Sequence, residues 1–418
     1  MTRPLMHKPP LLAFYYLFAG FIGASMFGVD GNAAFYAVSV LFLLGGSFLL
    51  LVRIGSRRRI NVRFLFLALL LVPLLFCGTL ERHSLYMRLL ALEVLLLFFM
   101  FKEYRVSLGA FTRCLNLSYV LFFALSALDW LGLLPLVEHD SKNSFAISVA
   151  GYSIETLYGL GGSTADIDSY SGLVLMWNLF INRGRSRWLM VGLSAAAMLL
   201  TFRFTPVVAV LAACLSYLLV WNRALAMLAL ILPALGFVMV LAILQIDPAA
   251  QVPLMPGTDW YSLLWNATHA RSSIWVGQVD YYLTHFQFAD FFYGPLDERM
   301  TVDFIDGDGR FHKDSYNPHN TYLALLFRSS VMFAIFYVLF LWGVFRRARR
   351  NTLPVLFFVS IVAYTNASVI GLQNPAYLLV VMFLLMAVPR GRFRDSYHRL
   401  RRNRHDDTAA QPAIQGQA

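Results

Sequence analysis

The fold class this sequence predicts is an all-α polytopic membrane protein of about twelve transmembrane helices, with one long helical outer loop between spans 9 and 10. Three observations carry that expectation. Of 418 residues, 59% are hydrophobic and 14% are charged, and mean hydropathy is +0.62, a balance foreign to water-soluble domains. Apolar segments of roughly 17–25 residues recur, the length needed to cross a hydrocarbon core. Basic residues also collect in alternate connections, as the positive-inside rule requires.

The elements read in order as follows. Residues 1–245 hold nine spans, at 11–28, 32–52, 64–80, 87–101, 114–135, 168–182, 188–202, 204–221 and 224–245. The first follows Arg3 and Lys8 and has no small-residue cleavage site, so it reads as a retained span. Residues 246–318 form the large outer loop, 319–389 hold spans 10–12 (319–345, 353–370, 374–389), and 390–418 make a basic, disordered tail. The side bearing Arg53 to Arg63, Lys102 to Arg113, Arg183 to Arg187, Arg223, Arg346 to Arg350, both termini and the tail carries 25 of the 34 Lys and Arg. That side is predicted to be cytoplasmic. The opposite side and the spans hold 19 of the 23 acids. The net charge of +11 is therefore a topology signal that suits anionic lipid headgroups and gives no support for nucleic-acid binding. Cys77, Cys114 and Cys214 fall in or at the ends of apolar segments, which argues against a disulfide framework or a metal site.

Polar residues inside this apolar frame are the candidates for function. Glu93 lies within the fourth span and is expected to face protein, or to pair with a cation such as Arg88 or Arg328. Residues 136–167 read as a flexible outer loop. Its glycines, Gly159 to Gly162, do not follow a strand and lack the lysine of a phosphate loop. Thr201 to Pro206 is a tight outer turn presenting Arg203 at the membrane plane. In the long loop, residues 251–258 read as coil and 260–293 as interfacial helix, with Arg271 and Trp275 four apart on one face. Asp306-Gly-Asp308-Gly reads as a turn, not a metal site. Asn317 is placed at an N-cap and Pro318 at the first helical position, so that His319 falls in the first turn of span 10. The positive end of a helix attracts phosphate and favours the neutral imidazole that a general base needs. Arg328 falls nine residues further, roughly 13 Å along that span.

An outer turn with Arg203, then Arg271-Ser-Ser-Ile-Trp275, then Pro318-His319-Asn320-Thr321-Tyr322-Leu323 opening a span together resemble the O-antigen ligase and polymerase family. The likeness covers roughly residues 190–345 and the topology. Three places depart from the family pattern: Arg203-Phe-Thr replaces the commoner Ser-Arg-Thr/Gly, Tyr293-Gly294-Pro295 replaces Gly-x-Gly, and Arg328-Ser-Ser replaces glycines.

The resemblance implies metal-independent, inverting glycosyl transfer on the periplasmic face of the bacterial inner membrane, with no cofactor. The outer loop would then be periplasmic. The donor would be a glycan on undecaprenyl diphosphate and the acceptor a second glycan. His319 would be the base and Arg203 and Arg271 the diphosphate clamp, with Trp275, Asn320, Tyr322 and Arg328 in support. A flippase and a chain-length regulator are the protein partners it would bring. Within that class the departures favour a polymerase of O-antigen or exopolysaccharide repeat units. The alternative is a ligase that transfers O-antigen to the lipid A–core in lipopolysaccharide synthesis. A transporter or flippase is more remote, because no repeated halves are visible and the polar residues gather in one loop instead of along the spans.

Overall fold

The computed structural model describes residues 9–26, 33–55, 88–96, 106–134, 136, 146–149, 152–160, 164–201, 203, 205–219, 283–293, 302–305, 311–314, 320–328, 330–348, 351–365 and 374–387. These are mostly helical, as expected. In chain order they form α1 (Pro9–Met26), α2 (Ala33–Gly55), α3 (88–96), α4 (Leu108–Trp130), β1 (Ala146–Val149), β2 (Tyr152–Glu155), α5 (Thr164–Phe180), α6 (Arg187–Thr201) and α7 (Thr205–Leu219). Then follow α8 (Asp290–Tyr293), β3 (Val302–Ile305), β4 (Phe311–Asp314), α9 (Thr321–Arg328), α10 (Val331–Ala348), α11 (Thr352–Thr365) and α12 (Pro375–Ala387). One of the described helices, α4, is long and apolar enough to cross a membrane by length and composition, and seven shorter apolar helical segments accompany it. The expected spans 64–80 and 224–245, the tail and most of the long loop lie outside the described residues.

Burial sorts the helices into two layers. α5 packs against α4, α6, α7 and α11, and α12 packs against α1 and α10. Nearly every side chain of α5, α11 and α12 is consequently buried. Aromatic rings fill the junction: Phe111 of α4 stacks on Phe383 of α12 at 4.0 Å, and Trp177 of α5 meets Phe357 of α11 edge-on at 5.5 Å. The surrounding helices α2, α4, α6, α7 and α10 turn large apolar side chains outward, among them Leu44, Leu117, Leu189, Leu211 and Leu339.

The structure corrects several element readings. α4 starts six residues before the expected span because Ser107 caps it, its hydroxyl accepting from the Ala110 amide at 3.2 Å. α5 starts four residues early, which brings Asp166 into the helix. Span 10 is broken. α9 ends at Arg328, and Ser330 caps α10 by accepting from the Phe333 amide at 3.0 Å. Arg328 therefore closes a helix instead of lying mid-span, where the negative end of α9 suits a cation.

The stretch expected to be a flexible loop, 136–167, contains an ordered hairpin. β1 pairs antiparallel with β2, from Ala146↔Glu155 to Val149↔Tyr152, and residues 156–160 after it are buried. Glu93 does face protein, where it accepts from Ser47 Oγ at 2.6 Å and Tyr16 Oη at 3.1 Å. These hydroxyls are its hydrogen-bonding partners from α2 and α1. In the long loop, α8 falls inside the expected helical run. The antiparallel pair Val302↔Asp314 to Ile305↔Phe311 brackets Asp306 and Asp308.

Candidate active site

Arg203 occupies the connection between α6 and α7 and is half-buried. Three contacts fix that connection. Thr201 ends α6 with its hydroxyl donating to the Met198 carbonyl at 3.1 Å. The Leu157 amide, just beyond the β1–β2 hairpin, donates to the Leu200 carbonyl at 2.9 Å. Pro206, in the first turn of α7, lies directly on Gly172 of α5. A Cβ placed on Gly172 would stand 2.6 Å from Pro206 Cγ, so only glycine admits this approach.

The same point on Gly172 lies 3.9 Å from the Tyr364 ring, in the last turn of α11. The Tyr364 hydroxyl is held by α5. It lies 3.0 Å from Asp168 Oδ2 and 3.2 Å from Ser169 Oγ. The Ser169 proton is already given to the Ala165 carbonyl at 2.6 Å, so Ser169 receives and does not donate. The Tyr364 proton therefore goes to the carboxylate, the stronger acceptor. Tyr377 of α12 donates to the Ser169 carbonyl at 2.7 Å. Tyr170 donates to the Gly20 carbonyl of α1 at 2.9 Å and receives from Asn374 Nδ2 at 3.1 Å. Asn374 also caps α12 by accepting from the Ala376 and Tyr377 amides.

The next residue of α11 reaches the helix that follows His319. Thr365 and Tyr322 face each other, oxygen to oxygen, at 3.3 Å. Thr365 already donates to the Val362 carbonyl at 2.9 Å, which leaves Tyr322 as the donor between them. Asn320 is buried, and its Oδ1 accepts from the Tyr322 amide at 2.9 Å and the Leu323 amide at 3.1 Å. The cap of this helix is thus Asn320, three residues after the Asn317 expected from sequence, and His319 precedes the helix.

Of the sequence-derived site residues, Arg203, Asn320 and Tyr322 are thereby brought to one end of the bundle, called here the outer end, through α5 and α11. Arg328 sits at the far end of α9. Arg271, Trp275 and His319 lie outside the described residues, as do Asp306 and Asp308. Asn320 has a structural task, the cap, and Tyr322 ties α9 to α11. Sequence reading missed Asp168, Ser169, Tyr364 and Thr365. A polar run, Asp166 to Ser171, opening an apolar helix was the available signal, and a span start drawn at 168 cut it two residues in. Compared with family models, curated proteins and solved structures, the chain matches none of them.

Proposed function

We propose that the protein is a multi-pass inner-membrane glycosyltransferase that moves an undecaprenyl-diphosphate-linked glycan onto an acceptor glycan, most simply as a polymerase of surface polysaccharide repeat units. Embedding in a bilayer is supported by inverted polarity. α4 buries Thr112, Asn116, Ser118, Ser126 and Asp129 while exposing Leu117, Leu121 and Leu128. Such an arrangement suits a lipid surround, where polar groups must find partners inside the protein. If the spans expected from sequence are all present, including 224–245 outside the described residues, the alternation of basic residues favours a periplasmic position for the Arg203 turn and the long loop.

The observation that carries the activity is the convergence of the Arg203 turn with the capped helix after His319. A cation in that turn, and an imidazole one residue before the Asn320 cap in sequence, match the two needs of transfer from a lipid diphosphate. His319 takes the proton of the acceptor hydroxyl as its oxygen attacks the anomeric carbon from the side opposite the diphosphate. The bond from that carbon to the diphosphate oxygen breaks, and Arg203 and Arg271 hold the charge that collects there. The anomeric configuration inverts. The leaving group departs as an anion that needs no proton, and the two guanidinium groups supply the countercharge a divalent metal would otherwise provide.

The test is transfer by purified enzyme in lipid nanodiscs with synthetic lipid-linked donor. His319→Ala should lower turnover by about 10²–10⁴ with donor binding retained. Arg271→Ala should weaken donor binding as well as rate, and Arg271→Lys should restore only part, since an ammonium lacks the two-pronged contact. Substantial transfer by His319→Ala would refute the base assignment.

A further inference from the structure

A second layer of residues lies behind the candidate site. Two hydroxyl contacts, on consecutive residues of α11, join the two halves of that site. Tyr364 Oη bonds to Asp168 at 3.0 Å, and the Tyr364 ring lies beside Gly172 where Pro206 of the Arg203 turn comes down. Thr365 Oγ1 bonds to Tyr322 at 3.3 Å, two residues after the Asn320 cap. Between Leu353 and Ala363 the one polar side chain of α11 is Ser360, which donates to its own helix at the Leu356 carbonyl, so Tyr364 and Thr365 are the polar side chains of the last turn. Asp168 and Thr365 are each nine-tenths or more buried. A carboxylate kept in such surroundings is costly unless its acceptors are used.

We propose that Tyr364 and Thr365, with Asp168 and Tyr322 as their partners, are positioning residues that set the separation between the Arg203 turn and the Asn320-capped start of α9, Asn320 being next in sequence to the proposed base His319. This rests on the proposed glycosyl transfer and deepens it. None of the four residues need touch substrate. Tyr364 fixes the level of the α7 entrance against α5, and with it the turn that bears Arg203. Thr365 fixes the level of α9, and with it the Asn320 cap. Because both sit on one helical turn, a shift at either contact changes the spacing between the Arg203 turn and the start of α9. Reaction geometry is sensitive at this scale, and a misplacement of about 1 Å costs on the order of a hundredfold.

The bookkeeping of protons makes the device testable by small changes. Tyr322→Phe removes the donor and Thr365→Val removes the acceptor of the same bond. Thr365→Ser keeps the acceptor. Tyr364→Phe keeps the ring against Gly172 and removes only the hydroxyl that reaches Asp168.

The experiment measures turnover and donor KM separately, in nanodiscs with synthetic undecaprenyl-diphosphate-linked repeat unit, alongside thermal unfolding. Tyr322→Phe and Thr365→Val should each lower turnover about ten- to hundredfold. Donor KM should stay within about twofold, because Arg203 and Arg271 remain. The double variant should be no worse than either single one, since one bond is lost in all three. Thr365→Ser should recover most of the turnover, and Tyr364→Phe should fall like Tyr322→Phe. Wild-type turnover in Tyr322→Phe and Thr365→Val overturns the proposal. So does a loss of turnover that follows only the loss of folded protein, which marks plain packing, or a large rise in donor KM, which places these residues in donor binding. His319→Ala, run in parallel, separates the two failures. If it is inactive while the Tyr322 and Thr365 variants are normal, positioning fails and the transfer reading stands. If it is active, the transfer reading itself fails.

Discussion

The two ends of α5 bury similar amounts of polar side chain and use it in opposite ways. At the outer end, Asp168, Ser169 and Tyr170 bond to α11, α12 and α1, with partners 196, 208 and 150 residues away in the chain. At the other end, Asn178 exchanges amide bonds with Asn116 of α4 at 3.0 and 3.2 Å, and Asn182 bonds one turn back to Asn178 and two residues on to the Gly184 amide. The outer network joins helix ends that the chain reaches at different times, so a change there moves elements relative to one another. The other network is a ladder closed by its own turn. Its loss loosens α5 against α4 and leaves the remaining helix ends where they were. From this difference we expect outer-end substitutions to change turnover, and opposite-end substitutions to change stability alone.

The largest expected effect comes from closing the space at Gly172. Gly172→Ala puts a methyl group 2.6 Å from Pro206 Cγ and 2.8 Å from Pro206 Cβ. Neither atom belongs to a flexible side-chain end, so α5 and α7 must separate. Overpacking of this kind costs typically about 1–3 kcal/mol. Turnover should fall further than that stability loss alone would take it, because the Arg203 turn moves with α7. Thermal unfolding and transfer rate, measured on the same preparation, check this. A variant that melts and turns over like wild type would mean the outer end is not tightly set, and the comparison would break there.

Arg203 comes next. Arg203→Ala should raise donor KM and lower turnover together, since the diphosphate is charged in both ground and transition states. A hydrogen bond to a charged group contributes about 1.5–3 kcal/mol, which corresponds to roughly ten- to hundredfold. Arg203→Lys should recover only part. Titration of donor binding and a turnover assay would sharpen the outer-end claim. Unchanged KM and turnover would mean that Arg203 merely lies among lipid headgroups.

What was legible in the sequence follows from which physical signals are local. Helix positions were readable from apolar length, and α1, α2, α6, α7 and α12 lie close to the expected spans. Capping side chains misled the reading where they compete. Asn317 and Asn320 are both good caps, and the structure uses Asn320. Ser330 ends what looked like one continuous apolar span, because a serine inside an apolar run gives no sign from sequence that it will cap. Arg203 was legible, being a lone cation in a short turn. Tyr364 and Thr365 were not. They sit at the end of an apolar helix, and their partners Asp168 and Tyr322 lie 196 and 43 residues away. Pairings at that distance leave no periodicity in a single chain.

At the opposite end of α5 a smaller effect is expected, confined to stability. Asn178→Leu removes two amide bonds to Asn116, one to the Val174 carbonyl and the one that Asn178 Oδ1 accepts from Asn182. Side-chain hydrogen bonds between membrane helices average about 0.6 kcal/mol each. The loss should therefore be about 2–3 kcal/mol, with the stranded Asn116 amide adding to it. Transfer per folded molecule should stay at the wild-type value. If turnover fell as far as in Tyr364→Phe, the opposite end would also be setting the site, and the distinction would be lost.

Asn182→Ala is the mildest case and the sharpest control. Asn182 Nδ2 donates to Asn178 Oδ1 at 2.7 Å and to Ser186 Oγ at 3.5 Å, and its Oδ1 accepts from the Gly184 amide at 2.7 Å. The turn it organises has other supports. The Arg187 amide donates to the Gly184 carbonyl at 3.1 Å, the Arg187 guanidinium donates to the Leu179 carbonyl at 2.8 Å, and Arg187 lies over the Trp188 ring at 4.6 Å. With those contacts intact, the α5–α6 connection keeps its shape and water reaches the freed groups at the chain turn. The cost should be about 0.5–1.5 kcal/mol. It should appear as a small drop in unfolding temperature, with turnover and donor KM unaltered. Asn182 stands two residues beyond the end of α5 and fourteen after Asp168, so any motion α5 transmits along its length would reveal itself here. Reduced turnover in Asn182→Ala, at full folding, would show that α5 acts as one lever from end to end and that its two polar ends are not independent.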